Sequence, residues 1–143
     1  MGVDRRRADA VAGEVRERYV DTDRWTVVDG APGTFERIAD RGWDPVLVAN
    51  GPPDLPEVLA ALGFEFVESF VSAGTGFEKP RVRAFETVVE WANRARLWAV
   101  GADYERDVEP ARRAGVPGIL VGDHHGADRT CPYVIGVPDL LPE

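Results

Sequence analysis

Leu97-Trp98-Ala99-Val100-Gly101-Ala102-Asp103 opens the stretch whose reading decides the fold; it continues through residues 105–114 and Gly115 to Gly118-Ile119-Leu120-Val121. Both apolar runs are too short for buried helices and carry β-branched or aromatic residues, which marks them as strands. The polar segment 105–114 between them has the length of a helix and stops at Gly115, a residue suited to the left-handed turn that ends helices. A strand, a helix and a strand in that order form a crossover unit, the connection that parallel strands require.

Working outward, the alternation persists. Upstream, 81–94 reads as a long helix with Phe85, Val88, Val89 and Ala92 inward, and 67–71 as a short strand before a Gly-rich turn. Residues 54–62 read as a helix closed by Gly63, Pro45-Val46-Leu47-Val48-Ala49 as a buried strand and 34–41 as a helix. Trp25-Thr26-Val27-Val28 is a short β-prone run ended by Asp29-Gly30, and in 8–20 the residues Val11, Val15 and Tyr19 share one helical face. Downstream, Tyr133-Val134-Ile135 reads as a last short strand. The fold class expected is α/β, one domain over 1–143, with a mostly parallel sheet covered by helices on both faces.

Composition narrows the function classes. The chain has 143 residues, 17 Lys and Arg against 25 Asp and Glu, and a net charge of -8, so nucleic acid is excluded as an expected partner because its phosphates would be repelled. No apolar run reaches the roughly 18 residues that span a bilayer, and Met1-Gly2-Val3-Asp4 with Arg5-Arg6-Arg7 does not open a signal region; a cytoplasmic chain without a membrane partner is expected. Cys131 is the sole cysteine, which leaves no intramolecular disulfide. Lys79 is the sole lysine in an arginine-rich, acid-rich composition that suggests a salt-adapted or GC-rich source.

In an open parallel sheet, ligands collect beyond the carboxyl ends of the strands. Three such ends carry polar residues: Ala49-Asn50-Gly51, then Ser72-Ala73-Gly74-Thr75-Gly76-Phe77-Glu78-Lys79-Pro80, then Gly101-Ala102-Asp103 leading to Asp107-Val108. Asp103 and Asp107 are four apart, so a strand end entering a helix can aim both at one hard cation, yet the same placement suits a helix cap and a first-turn acid. Asn50 can donate to a ligand or serve the turn before Gly51. His124 and His125 lie on a loop where solvation is the ordinary fate, and Trp25, Trp43, Trp91 and Trp98 suit packing better than a stacking platform.

The Gly76-x-x-Lys79-Pro80 turn followed by Phe85, and the Gly101-x-Asp103-x-x-x-Asp107-Val108 run leading to Ala111, Ala114 and Gly115, resemble the haloacid dehalogenase superfamily over about residues 10–140. The resemblance implies a Rossmann-like three-layer sandwich and a phosphomonoesterase. In that family an Asp nucleophile attacks phosphorus, a Ser or Thr and a Lys hold the phosphate, and an acidic pair holds Mg²⁺. By this resemblance Lys79 stabilises phosphate charge, Asn50, Gly51 and Lys79 bind substrate, and Asp103 and Asp107 hold the metal. The partner implied is a small phosphorylated metabolite.

The chain departs from the family pattern in three places. Ala49 stands where the family has Ser or Thr, and Ala102 where an acid more often follows the glycine. No Asp-x-Asp follows an apolar strand: Asp21-Thr22-Asp23 ends a helical pattern, and Asp29, a candidate substitute nucleophile, has Ala31 where the second Asp would stand. Residues 1–24 therefore resemble a helical remnant of the family's cap, and the central first strand is expected to be missing. Its absence would leave unpaired backbone groups in mid-sheet, with three remedies: direct pairing of its neighbours, insertion of 25–28, or a strand from another chain, a second copy included. The expectation is a hydrolase core truncated at its amino end, inactive or weakly active alone; the alternative is a non-catalytic binding or regulatory protein that keeps a phosphate or metal site.

Overall fold

A computed structural model of the chain describes residues 4–123 and 125–143; His124 lies outside the described residues. Helix α1 (Arg5–Val20) starts at Asp4, whose side chain accepts from the Arg6 N–H, one of the amide groups a helix leaves unpaired at its start. The helix forms as expected, but the face that Val11, Val15 and Tyr19 share is not covered: none of its residues is buried, and Val11 and Val15 are exposed. Arg16 ties it to Asp54, further along the chain, by a two-bond contact at 3.0 and 2.8 Å.

Residues 25–28 form no strand. The Trp25 indole N–H donates to the Tyr19 carbonyl at 2.8 Å and its ring meets the Tyr19 ring edge-on, so the run folds back onto α1. Helix α2 (Ala31–Asp40) follows, starting three residues earlier than its apolar pattern indicated because Pro32 is tolerated in a first turn, where its missing N–H is not needed.

Strand β1 (Val46–Ala49), helix α3 (Leu55–Ala61) and strand β2 (Glu68–Val71) form one crossover unit, with β1 and β2 parallel. A short helix α4 (Ser72–Thr75) and the turn through Pro80 lead to α5 (Arg83–Ala92). Helix α5 buries Ala84, Phe85 and Val88, whereas Val89 faces outward, contrary to the expected inward set. Strand β3 (Ala99–Gly101), helix α6 (Glu109–Arg113) and strand β4 (Gly118–Val121) form the second parallel unit, and β5 (Arg129–Cys131) adds to β4, also parallel. The helix expected from Glu105 begins instead as a π-helical turn, Tyr104–Val108, in which the Glu109 N–H reaches the Tyr104 carbonyl. Pro110 has no N–H to offer the Arg106 carbonyl, so the regular ladder cannot run through this turn.

The last strand was misplaced by its sequence. Residues 134–136 form a 3₁₀ turn, with Tyr133 and Ile135 exposed, while Arg129-Thr130-Cys131 supplies the strand and helix α7 (Val137–Leu140) closes the chain.

Two apolar clusters organise the layers. Ala84, Phe85, Ala111 and Val116 pack with Val48 and Ala99 on one face of the strands, under α5 and α6. Ile119, Cys131, Val137 and Leu141 pack with Ile38 and Trp98 under α2 and α7; since Trp98 and Ala99 are adjacent in an extended run, these clusters lie on opposite faces. The chain is thus α/β with parallel strands between helices. The strands form two sheets rather than one: β1-β2 and β3-β4-β5, with no strand joining them among the described residues. Direct pairing of β1 with β3 and insertion of 25–28 between them are therefore both corrected.

Candidate functional site

The carboxyl ends of β1 and β3 meet through one side chain. Asn50, just after β1, clamps the backbone of Lys79: its amide N donates to the Lys79 carbonyl at 2.8 Å and its Oδ1 accepts from the Lys79 N–H at 2.7 Å. The Lys79-Pro80 peptide is cis. So anchored, Lys79 extends its ammonium to Asp107 Oδ1 at 2.6 Å, an ion pair whose side chains are 15% and 11% exposed. The other Asp107 oxygen accepts from the Asp103 N–H at 3.2 Å, and the Arg106 guanidinium stands 3.6 Å from Asp107.

Local sequence makes this approach possible. Asp107 lies so close over β3 that a Cβ on Gly101 would fall 2.2 Å from its own Cβ, so only glycine fits there. Asp103 Oδ1 accepts from the Arg106 N–H at 3.0 Å, the N-cap role anticipated as one of its two readings. Gly51 donates its N–H to Ser72 Oγ at 3.1 Å. Ser72 had no assigned role in the sequence reading; it brings a hydroxyl to the corner where Ala49 supplies only a methyl. Its signal was its place directly after β2, at the carboxyl edge.

Asn50, Gly51, Lys79, Asp103 and Asp107 are thus linked into one set. Asp29 is not part of that linkage: it sits in an exposed turn before α2, and its neighbour Gly30 lies against Ile135. His125 is exposed on its loop.

The set does not make a self-sufficient magnesium site. Among the described residues no three His, Cys, Asp or Glu side chains converge to hold a metal. Asp107 already has one oxygen on an ammonium and one on an N–H, and Asp103 has one oxygen in its cap. An octahedral cation here would need further oxygen ligands.

Elsewhere, burial pushes the Cys131 thiol above its ordinary pKa, as expected of an unreactive packed thiol. Among the described residues no helix is long and apolar enough to cross a membrane.

Comparison with known proteins agrees with this arrangement. The family model described as hydrolase, haloacid dehalogenase-like hydrolase, matches residues 2–115. The chain is 32% identical over 146 residues to the Bos taurus haloacid dehalogenase-like hydrolase domain-containing protein 3, covering 96% of this chain and 57% of that relative. In fold it is similar to a HAD phosphatase from Thermococcus onnurineus, with TM-score 0.75, 21% identity, and 89% of this chain and 62% of that one covered. It is likewise similar to the HAD-hydrolase YfnB from Bacillus subtilis, a structure bound to magnesium, with TM-score 0.68, 20% identity, and 80% and 54% covered. The chain spans less than two thirds of the length of each of these three proteins. With matched motifs joined at one edge of a parallel α/β core, the chain belongs to the haloacid dehalogenase-like hydrolase family.

Proposed function

We propose that this chain is the phosphate-handling part of a phosphomonoesterase-type hydrolase, with little or no activity by itself. One observation carries the reading: Lys79, its backbone held by Asn50 just after β1, extends its ammonium to the Asp107 carboxylate in the turn that follows β3. An ammonium held in a sheltered site stabilises the charge of a phosphoryl group far better than one in open water. Asn50, Gly51 and Ser72 would add hydrogen bonds to the phosphoryl oxygens.

Low activity follows from what is engaged. Asp107 is neutralised by Lys79 and Asp103 caps a turn, so neither is a free nucleophile, and Asp29 lies in an exposed turn outside the linked set. The substrate class is a small phosphorylated metabolite. The test is hydrolysis of p-nitrophenyl phosphate with and without magnesium. Turnover near the uncatalysed rate is expected; a typical enzyme rate, of order 10 per second, would contradict the reading, and its loss in Asp29→Asn would make Asp29 the nucleophile.

The second reading, a non-catalytic binding or regulatory protein on the same scaffold, is favoured by Ala49 and Ala102, which remove a phosphate contact and an acid from the family pattern. It predicts phosphate binding without turnover under any metal.

A further inference from the structure

Of the 16 residues of α1, Tyr19 alone is half-buried and the others are exposed. Its hydroxyl reaches the carboxyl edge: a Cβ on Gly51 would stand 3.5 Å from the Tyr19 oxygen. Gly51 is the residue whose N–H is bonded to Ser72 Oγ, beside the Asn50 that clamps Lys79. The ring is fixed from two sides. The Trp25 indole bonds the Tyr19 carbonyl and its ring stands edge-on at 5.2 Å, while Arg16, one turn earlier on α1, grips Asp54 shortly after Gly51. The Tyr19 hydroxyl itself makes no hydrogen bond among the described residues. No buried side-chain oxygen lacks a partner, so this oxygen is open to solvent and to a ligand. Burial, and after it the Asp54 charge, raises the Tyr19 pKa above its ordinary value, so the group keeps its proton and can donate.

We propose that Tyr19 reads the organic part of the substrate: its hydroxyl bonds a hydroxyl group on the alcohol side of a phosphoester whose phosphoryl group lies at Lys79. The proposal rests on the phosphate-handling reading above and adds the class of alcohol, a short uncharged polyol. The surroundings of Tyr19 select that class. A phenol oxygen both donates and accepts, so its natural partner is another hydroxyl, which does the same. The charges beside it are committed to each other: Arg16 meets both carboxylate oxygens of Asp54, so the wall carries no free charge. A carboxylate on the alcohol would lose water there without gaining a counter-charge. The Tyr19 and Trp25 rings offer apolar surface to the carbon chain between the hydroxyls. A protein hydroxyl placed to bond a substrate hydroxyl discriminates against ligands that lack it, because its own bond is then unmade.

The full chain is titrated by calorimetry with inorganic phosphate, sn-glycerol 3-phosphate and 3-phosphoglycerate. Glycerol phosphate is expected to bind about fivefold more tightly than inorganic phosphate, the worth of roughly one hydrogen bond. The acid 3-phosphoglycerate should show no such advantage. In Tyr19→Phe, which keeps the ring against Trp25, the preference for glycerol phosphate should disappear, while the unfolding midpoint stays that of the native chain because the lost hydroxyl bonds nothing in it. Arg16→Ala, which frees α1 from Asp54, should lower the same preference. A merely structural role for Tyr19 would weaken both ligands together in Tyr19→Phe and leave the preference standing, and that result would overturn the proposal. Equal affinities for phosphate and glycerol phosphate in the native chain, or tighter binding of 3-phosphoglycerate, would overturn it too, with the phosphate-handling reading intact. No binding of inorganic phosphate would overturn both.

Discussion

The Lys79 ammonium lies 2.6 Å from the Asp107 carboxylate across 28 positions of sequence, and it is a direct bond between the turn after α4 and the π-helical turn after β3. The pair is largely enclosed, so removing one charge strands the other. Lys79→Met is expected to cost roughly 3 kcal/mol in urea denaturation, and Lys79→Met combined with Asp107→Leu to recover most of it. Two single variants that each cost under about 1 kcal/mol would show the pair to be as weak as a surface one.

Gly101 is expected to tolerate no side chain. Gly101→Ala places a methyl against Asp107 Cβ, and Gly118→Ala places one 2.5 Å from Cγ1 of the fully buried Val108, side-chain atoms with little room to move. Each should destabilise by about 1–3 kcal/mol in thermal or urea unfolding, while Gly13→Ala, whose Cβ meets nothing within 4 Å, should be neutral or slightly stabilising.

Helix α1 should detach at low pH. The Arg16 hydrogen bond, and with it the Arg16 charge, holds the Asp54 carboxyl below its ordinary value of 3.8. A carboxyl depressed in the folded state contributes stability above its unfolded pKa and loses it as pH falls through the lower folded value, so α1 should stay docked at neutral pH and loosen below about pH 4. Amide exchange of α1 followed against pH checks this, and Arg16→Ala should give the loosened pattern at pH 7. High salt should act in the same direction, because Arg16 is exposed.

Cys131 should resist modification in the native chain. It is buried in the cluster with Ile119 and Val137, and burial raises its pKa. Reaction with a disulfide reagent should be slow in buffer and fast in urea. Fast native labelling would place β5 among the loosely held parts of the fold.

Apolar runs located β1, β3 and β4 in the sequence because those strands sit beside or between others and show apolar residues in an unbroken row. Strand β5 was illegible for the opposite reason. Arg129 is half-buried, Thr130 is exposed and Cys131 alone is fully buried, so Arg129-Thr130-Cys131 carries no apolar run. The apolar run at 133–135 drew the assignment because its exposure after Pro132 cannot be seen without the fold. The same limit applies to Val89 and to α1, where periodicity named a face but not whether anything covers it. In the site, motif spacing marked Asn50, Lys79, Asp103 and Asp107 separately. That Lys79 is bonded to Asp107, and that Ser72 stands by Gly51, depends on how turns more than 20 residues apart in sequence approach, which no local pattern encodes.

Inorganic phosphate titrated into the isotopically labelled chain tests most directly whether the carboxyl edge handles phosphate. Amide shifts confined to Asn50, Gly51, Ser72, Lys79, Asp103 and Asp107, and lost when Lys79→Met and Asp107→Leu are combined in a chain that remains folded, are the predicted result. Shifts that are absent, lie elsewhere, or persist in that folded double variant would contradict it.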